Sequence, residues 1–190
     1  QLEAEELNLS QVKLNEKNNQ FNFQQARLSF NGNSQNWQAA WLVNGLTFNQ
    51  HQFSQLAGNY RFSQQEHLVQ LKEINLNQLG PLAQELTLAF PYLHQTLSTL
   101  NPQGKLNNLR FRWPANQNWQ LAAQLNEVGV NAWEGAPGGQ RVNGYLEVTS
   151  NGGQVVFVSP ELQLGFPQLY PFSWQASLAK GKVEWRIAPK

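Results

Sequence analysis

Apolar and polar residues alternate with a period of two through most of the chain, the pattern of half-buried β-strands. In "ARLSFNG" Ala26, Leu28 and Phe30 share one side, and in "WQAAWLV" Trp37, Ala39, Trp41 and Val43 do the same. Shorter runs at Leu7/Leu9, Val12/Leu14, Phe21/Phe23, Leu46/Phe48 and Leu56/Tyr60/Phe62 predict further strands. Asn31-Gly32, Asn44-Gly45 and Gly58-Asn59 supply turn chemistry between them. The period changes in "NQLGPLAQELTLAFPYLHQTLSTLNPQG", where Leu79, Leu82, Ala83, Leu86 and Phe90 recur at helical spacing. Pro91 interrupts that run and can open a second helix carrying Leu93, Leu97 and Leu100, so a kinked pair of short helices is expected.

Alternation returns after Lys105. Leu109, Phe111 and Trp113 alternate with Asn108, Arg110 and Arg112, and Trp119, Leu121, Ala123 and Leu125 follow in the same phase. "RVNGYLEV" sets Val142, Gly144, Leu146 and Val148 on one side, and Asn151-Gly152-Gly153 is a hairpin signal. "VVFVS", "ELQLGF" and "WQASLAKGKVEWRI" complete the chain, the last with Val183, Trp185 and Ile187 in register. The predicted organisation is a β section over residues 1–77, a helical pair over 78–104 and a second β section over 105–190.

About a dozen strands at roughly 4.8 Å spacing would span nearly 60 Å in a single sheet. The helical residues, about 22 at 1.5 Å each, reach only about 33 Å. They can cover one end of such a sheet. The remaining apolar face must close on itself as a sandwich or barrel, the common solution for an all-β chain, or meet something outside this sequence.

Composition narrows the partners. Charged residues make up 13% of the 190 positions, about half the usual share. Asn and Gln fill the gap, with 22 and 25 copies, and every acidic residue is Glu. A net charge of +1 gives no electrostatic reason to expect nucleic acid. Cysteine is absent, which excludes disulfides, zinc–thiolate sites and thiol catalysis. Methionine is absent even at position 1, so the chain is expected to be a piece of a longer protein. No apolar run approaches the roughly 18–20 residues of a transmembrane helix.

Candidate chemistry is thin. His51, His67 and His94 lack metal-ligand spacing, so no metal or other cofactor is expected. A Ser-His-Asp triad cannot form without Asp, and no G-x-S-x-G elbow supports a Glu substitute. Glu134, Glu147 and Glu161 sit where solvated strand faces carry carboxylates. "EGAPGGQ" and "NGGQ" lack the Lys-Ser/Thr of a phosphate loop. The Arg110/Arg112 and Lys180/Lys182 pairs do not make a nucleic-acid stripe. The tryptophans could stack on sugars, but Trp41, Trp113, Trp119 and Trp185 fall in register with aliphatic residues rather than on a polar face. The expectation is a chain that is not an enzyme.

One segment carries a resemblance. "LNQLGPLAQELTLAFPYLHQTLSTLNPQGKLNNLRFRW" is similar to the helix-to-strand segment of the YhdP-type AsmA-like proteins. Leu100, Pro102, Gly104, Leu106, Leu109 and Trp113 match that family's L-x-P-x-G-x-L-x-x-L-x-x-x-W run. The order of Pro-Gly, Gly-Gly hairpin, "FPxLY"-like turn and Gly-x-Val-x-Trp downstream is similar too. The likeness is best over residues 75–187; over 1–74 only alternation and spacing agree.

The resemblance implies a mainly β fold, an extended, curled and mostly antiparallel sheet forming an open trough, with the helical pair inserted mid-chain. It also implies a periplasmic section of a protein anchored in the inner membrane, carrying phospholipid to the outer membrane. The partners implied are phospholipid acyl chains and neighbouring sections of the same long protein. The lining residues expected are Leu28, Phe30, Trp41, Val43, Phe111, Trp113, Leu121, Leu125, Leu146, Val148 and Phe157. The alternative is a non-catalytic scaffolding β-domain with a closed core and no lipid. An outer-membrane barrel fragment fits less well, because of the helices and short strands.

Overall fold

The computed structural model describes residues 2–16, 19–49, 51–79, 91–115, 117–133 and 137–186. The chain is mostly β. Ten strands follow one another as β1 (Leu2–Glu16), β2 (Asn19–Gly32), β3 (Asn36–Phe48), β4 (His51–Ser63), β5 (Glu66–Asn75), β6 (Gln103–Pro114), β7 (Gln120–Val130), β8 (Gly138–Thr149), β9 (Gly152–Gly165) and β10 (Trp174–Arg186). They hydrogen-bond in sequence order as one sheet that does not close. Each strand registers antiparallel to the next over β1–β5 and over β8–β10. Packing divides the chain into two compact units: Gln1–Glu73 with Asn108–Leu121, and Ile74–Asn107 with Ala122–Lys190.

The strands are about twice as long as the alternating runs suggest, because each contains one phase slip. In β3 the apolar positions are Trp37, Ala39, Trp41 and Val43, then Leu46 and Phe48. The step from Val43 to Leu46 is three residues, and Gly45 between them has φ +60°. The same happens at Leu106/Leu109 with Asn108 at φ 51°, and at Leu125/Val128 with Glu127 at φ 49°. Gly139/Val142 with Arg141 at φ 58° and Ser159/Leu162 with Glu161 at φ 52° repeat it. A left-handed residue lets the backbone advance by one position, so the next side chain lands on the original face. Without it, strict alternation would carry Leu46 and Phe48 to the polar side.

Neighbouring strands slip at the same level. Ser10 pairs with Gln25, Gln25 with Asn44, and Asn44 with Gln55, each beside its strand's slip. The register is therefore unbroken across the line in β1–β4. These slips correct two predicted turns. Asn44-Gly45 and Gly58-Asn59 lie inside β3 and β4, not between strands. The runs Phe21/Phe23 and Ala26–Phe30 are one strand, as are "VVFVS" and "ELQLGF". The hairpin at Asn151-Gly152-Gly153 forms as expected, joining β8 to β9.

A 3-10 turn at Leu76–Gln78 starts with the Asn75 side chain accepting from the Asn77 N–H. The helix α1 (Pro91–Leu100) begins at the expected proline. It ends where Asn101 turns left-handed at φ 42° and its N–H bonds to the Leu97 carbonyl at 2.8 Å. Asn131 completes the end, donating its backbone N–H to the Leu100 carbonyl and its side-chain amide to that of Thr99. The other expected helix, carrying Leu82, Ala83, Leu86 and Phe90, lies outside the described residues.

The slips make a direct prediction. Gly45→Val should lower the unfolding free energy by about 2 kcal/mol, because a β-branched residue is strained in the left-handed region. Glu127→Gly should raise it by up to about 1 kcal/mol, the relieved strain exceeding the entropy cost of glycine. Urea unfolding of the two variants measures both.

Candidate functional site

In the first unit, register places Leu28, Trp41, Gly58 and Leu71 side by side. Ala26, Val43 and Leu56 make a second row, and Phe30, Ala39, Tyr60 and Val69 a third. Trp37, Phe62 and His67 form the fourth, with Trp37 meeting Tyr60 edge-on at 5.0 Å. The Tyr60 hydroxyl lies 2.6 Å from His67 Nδ1, which gives this aromatic row a polar stitch. Phe111 packs on Trp119 with ring centroids 6.1 Å apart. Four expected lining residues, Leu28, Phe30, Trp41 and Val43, thus share one face, with Phe30 half exposed. Trp113 is 58% exposed and Leu121 is half-buried.

The second unit gathers its apolar side chains around a cavity of about 350 Å³. Leu76, Leu125 and Val128 form its buried wall, packed against Leu106, Val142, Leu146 and Val155. Phe157, Leu162 and Leu164 of β9 and Val183 and Trp185 of β10 complete the wall. Among the described residues no charged side chain lines it, and the only side-chain hydrogen-bonding group is the Trp185 indole. Of the residues expected from sequence, Leu125, Leu146 and Phe157 meet here; Val148 lies opposite Gly153, outside the lining. Cavities of about 420 and 450 Å³ in the first unit are larger, but Arg61, Gln70, Lys72 and Arg110 edge them. The smaller cavity is the more uniformly apolar of the three.

In the second unit a hydroxyl lies among the apolar side chains. Ser159 is fully buried between Phe157 and Leu162. It accepts from the Asn143 N–H at 2.8 Å and donates to the Asn143 carbonyl at 3.3 Å, where the β8–β9 register shifts. Both of its hydrogen-bonding roles are therefore used inside the ladder, and none faces the cavity.

Glycines set the floor beneath the rings. Phe157 lies between Gly144 on β8 and Gly181 on β10. A Cβ at Gly181 would lie 2.9 Å from Phe157 Cζ. At Gly58 a Cβ would meet Trp41 Cζ2 and the Gln70 carbonyl, each at 2.6 Å. A ring lying over a glycine replaces the missing side chain and keeps the strand covered.

Charge is kept elsewhere. Arg27 pairs with Glu6 at 3.1 Å and Arg112 with Glu66 at 2.6 Å, both outside the apolar rows. Arg141 pairs with Glu161, the two left-handed residues at their strands' slips. Glu147 accepts from Gln154 on the face opposite Leu146 and Val155. The hydrogen bond and charge of Lys182 hold the exposed Glu184 carboxyl below its ordinary pKa. Among the described residues no cluster of three potential metal ligands forms. No helix of the described residues is long and apolar enough to cross a membrane.

Sequence reasoning missed Leu76, Leu106, Val128, Leu162 and Leu164 as lining. The signal that finds them is the polar doublet, such as Asn126-Glu127 or Pro160-Glu161, which marks where the apolar phase resets. Val183 and Trp185 were visible in the alternation but not assigned to the lining.

The chain belongs to the YhdP family: the family model described as YhdP protein matches residues 1–190. The match thus extends through the N-terminal strands, where the motif likeness was diffuse. No curated protein and no solved structure matches.

Gly58→Ala should cost about 1–3 kcal/mol, since backbone and ring both crowd the new methyl. It should also shift tryptophan emission as Trp41 is displaced. Gly165→Ala meets nothing closer than Ser173 Oγ at 3.6 Å and should leave both readouts unchanged.

Proposed function

We propose that this section of a YhdP-family chain is a non-catalytic part of a hydrophobic conduit that carries phospholipid between the inner and outer membranes. The single observation that carries the proposal is the apolar cavity of the second unit, walled by aliphatic and aromatic side chains with no charge among the described residues. In such a conduit acyl chains lie along the apolar rows while head groups stay in water. The section lies in the periplasm, in a longer protein anchored in the inner membrane, and neighbouring sections continue the lining.

The size is right for hydrocarbon. A dry apolar cavity of about 150 Å³ accommodates benzene, so about 350 Å³ suits a chain segment on the order of a dozen carbons. At about 0.8 kcal/mol per methylene, full transfer from water would be worth at most about 10 kcal/mol. Part of that is lost because the mouth is open: Val183 is 52% and Trp185 36% exposed. Retention is then strong enough to hold a tail and weak enough to release it.

A scaffold with a closed core would bury these same side chains against protein. Here the sheet does not close, and Phe30, Trp113, Val183 and Trp185 remain substantially exposed. That exposure supports the conduit over the scaffold.

The test places a photo-crosslinking amino acid at Val183 or Leu146 and feeds cells labelled lipid. Both positions should capture phospholipid, and a site on the polar face such as Gln154 should not. Leu146→Glu should abolish capture at Val183, while Trp113→Glu, at an exposed position, should cost less than about 1 kcal/mol of stability. Equal capture at all three sites, or none, would discard the conduit.

A further inference from the structure

We propose that the connection between β9 and β10, residues 166–173 with Trp174, is an anchor that inserts into the surface of a lipid bilayer. It adds a second surface to the conduit and does not require the cavity to be loaded.

The loop presents what soluble surfaces avoid. Leu169 is 73% exposed, Phe172 64%, Trp174 49% and Tyr170 40%. Four large apolar residues within six positions form a patch that calls for a partner. Their rings touch each other: Tyr170 and Trp174 have centroids 5.2 Å apart, Phe166 and Trp174 5.5 Å, and Tyr170 and Phe172 6.1 Å. The cluster is therefore preformed and stands outward instead of folding down onto the strands.

Three features select a bilayer over a protein as the occupant. No charged residue occurs between Glu161 and Lys180, so the loop has no ionic means of choosing a protein partner. Trp, Tyr, Phe and Leu together are the residues that settle at headgroup depth. The backbone is also prepared for a poorly hydrated site. Leu169 and Tyr170 both donate their N–H to the Phe166 carbonyl at 2.8 Å, and Pro167 and Pro171 have no N–H to satisfy.

Position supports the same occupant. Trp174 pairs with Leu164, and Leu164 and Leu162 line the hydrocarbon cavity. A loop seated in the headgroup layer would hold that end of the cavity next to the acyl chains it has to accept or release.

The experiment mixes the purified chain with phosphatidylcholine vesicles and measures co-flotation, together with tryptophan quenching by lipids brominated on their chains. The chain should float and be quenched. Leu169→Glu with Phe172→Glu should lower the floating fraction at least about tenfold, since apolar area drives interfacial binding. Its unfolding midpoint should be unchanged, because both side chains are exposed. Val156→Glu with Val158→Glu, opposite Lys182 and Lys180 on the other face, should float as well as the parent. Adding phosphatidylglycerol or molar salt should alter binding less than about twofold.

No flotation of the parent chain, equal flotation of the loop variant, or a requirement for anionic lipid would overturn the anchor. So would self-association that the loop variant abolishes without any flotation, which would assign the loop to a second copy. Lipid capture at Val183, measured on the loop variant, keeps failure of the anchor distinct from failure of the conduit.

Discussion

Everything in this chain follows from the need to keep one face of each strand apolar over a length of ten to fifteen residues. A strand of that length twists, and strict alternation would still hold its side chains to two fixed faces. The backbone instead passes through a left-handed residue once per strand in β3 and in β6–β9, and the apolar phase resets by one position. Where adjacent strands reset together, as across β1–β4, the register is the same on both sides of the slip; between β8 and β9 it shifts there. The cost is local strain, about 1–2 kcal/mol wherever the residue is not glycine. Asn108 tolerates that region better than most residues; Glu127, Arg141 and Glu161 do not. The Arg141–Glu161 ion pair joins two of these strained positions and offsets little of the cost, being exposed.

The same constraint explains the glycines. A face that must admit rings without bulging needs strand positions that carry nothing. Gly58, Gly144, Gly153 and Gly181 are those positions, each beside or beneath a Trp or Phe. Large and empty residues alternate across the rows, so the lining is continuous within each unit although no single strand is uniformly aliphatic. Polar atoms that fall on the face are consumed locally, as the Ser159 hydroxyl is by Asn143.

Much of this was legible in the sequence, and the misses have one cause. Period-two runs identified the strand class, and the Pro91 and Asn101 signals placed the helix ends. Reading Asn44-Gly45 as a turn split β3, because Asn-Gly is the strongest short hairpin signal and says nothing of whether the strand continues. The two-residue polar interruption looks like a loop until it is seen at the same level in neighbouring strands, as at Gln25, Asn44 and Gln55. Leu125, Leu146 and Phe157, which stand on the cavity wall, were readable because they lie on the long side of a slip. Val128 and Leu162, just past one, were lost. The Gly58 position could not be separated from a turn without knowing that Trp41 lies across it.

A lining of this kind also differs in principle from a binding pocket. A pocket gains specificity from a few placed polar groups, and each one pins the ligand. Here no charged side chain among the described residues lines the cavity, which offers aliphatic and ring surface with the Trp185 indole as its one side-chain polar group. Under the proposed function, a tail shifted by one methylene exchanges each contact for an equal one, so displacement along the rows is nearly level in free energy. The Asn- and Gln-rich polar face fits that proposal, since neutral amides stay hydrated and would impose no field on head groups of either sign. Selectivity is then expected to reside in the hydrocarbon, in its length and shape, and not in the head group.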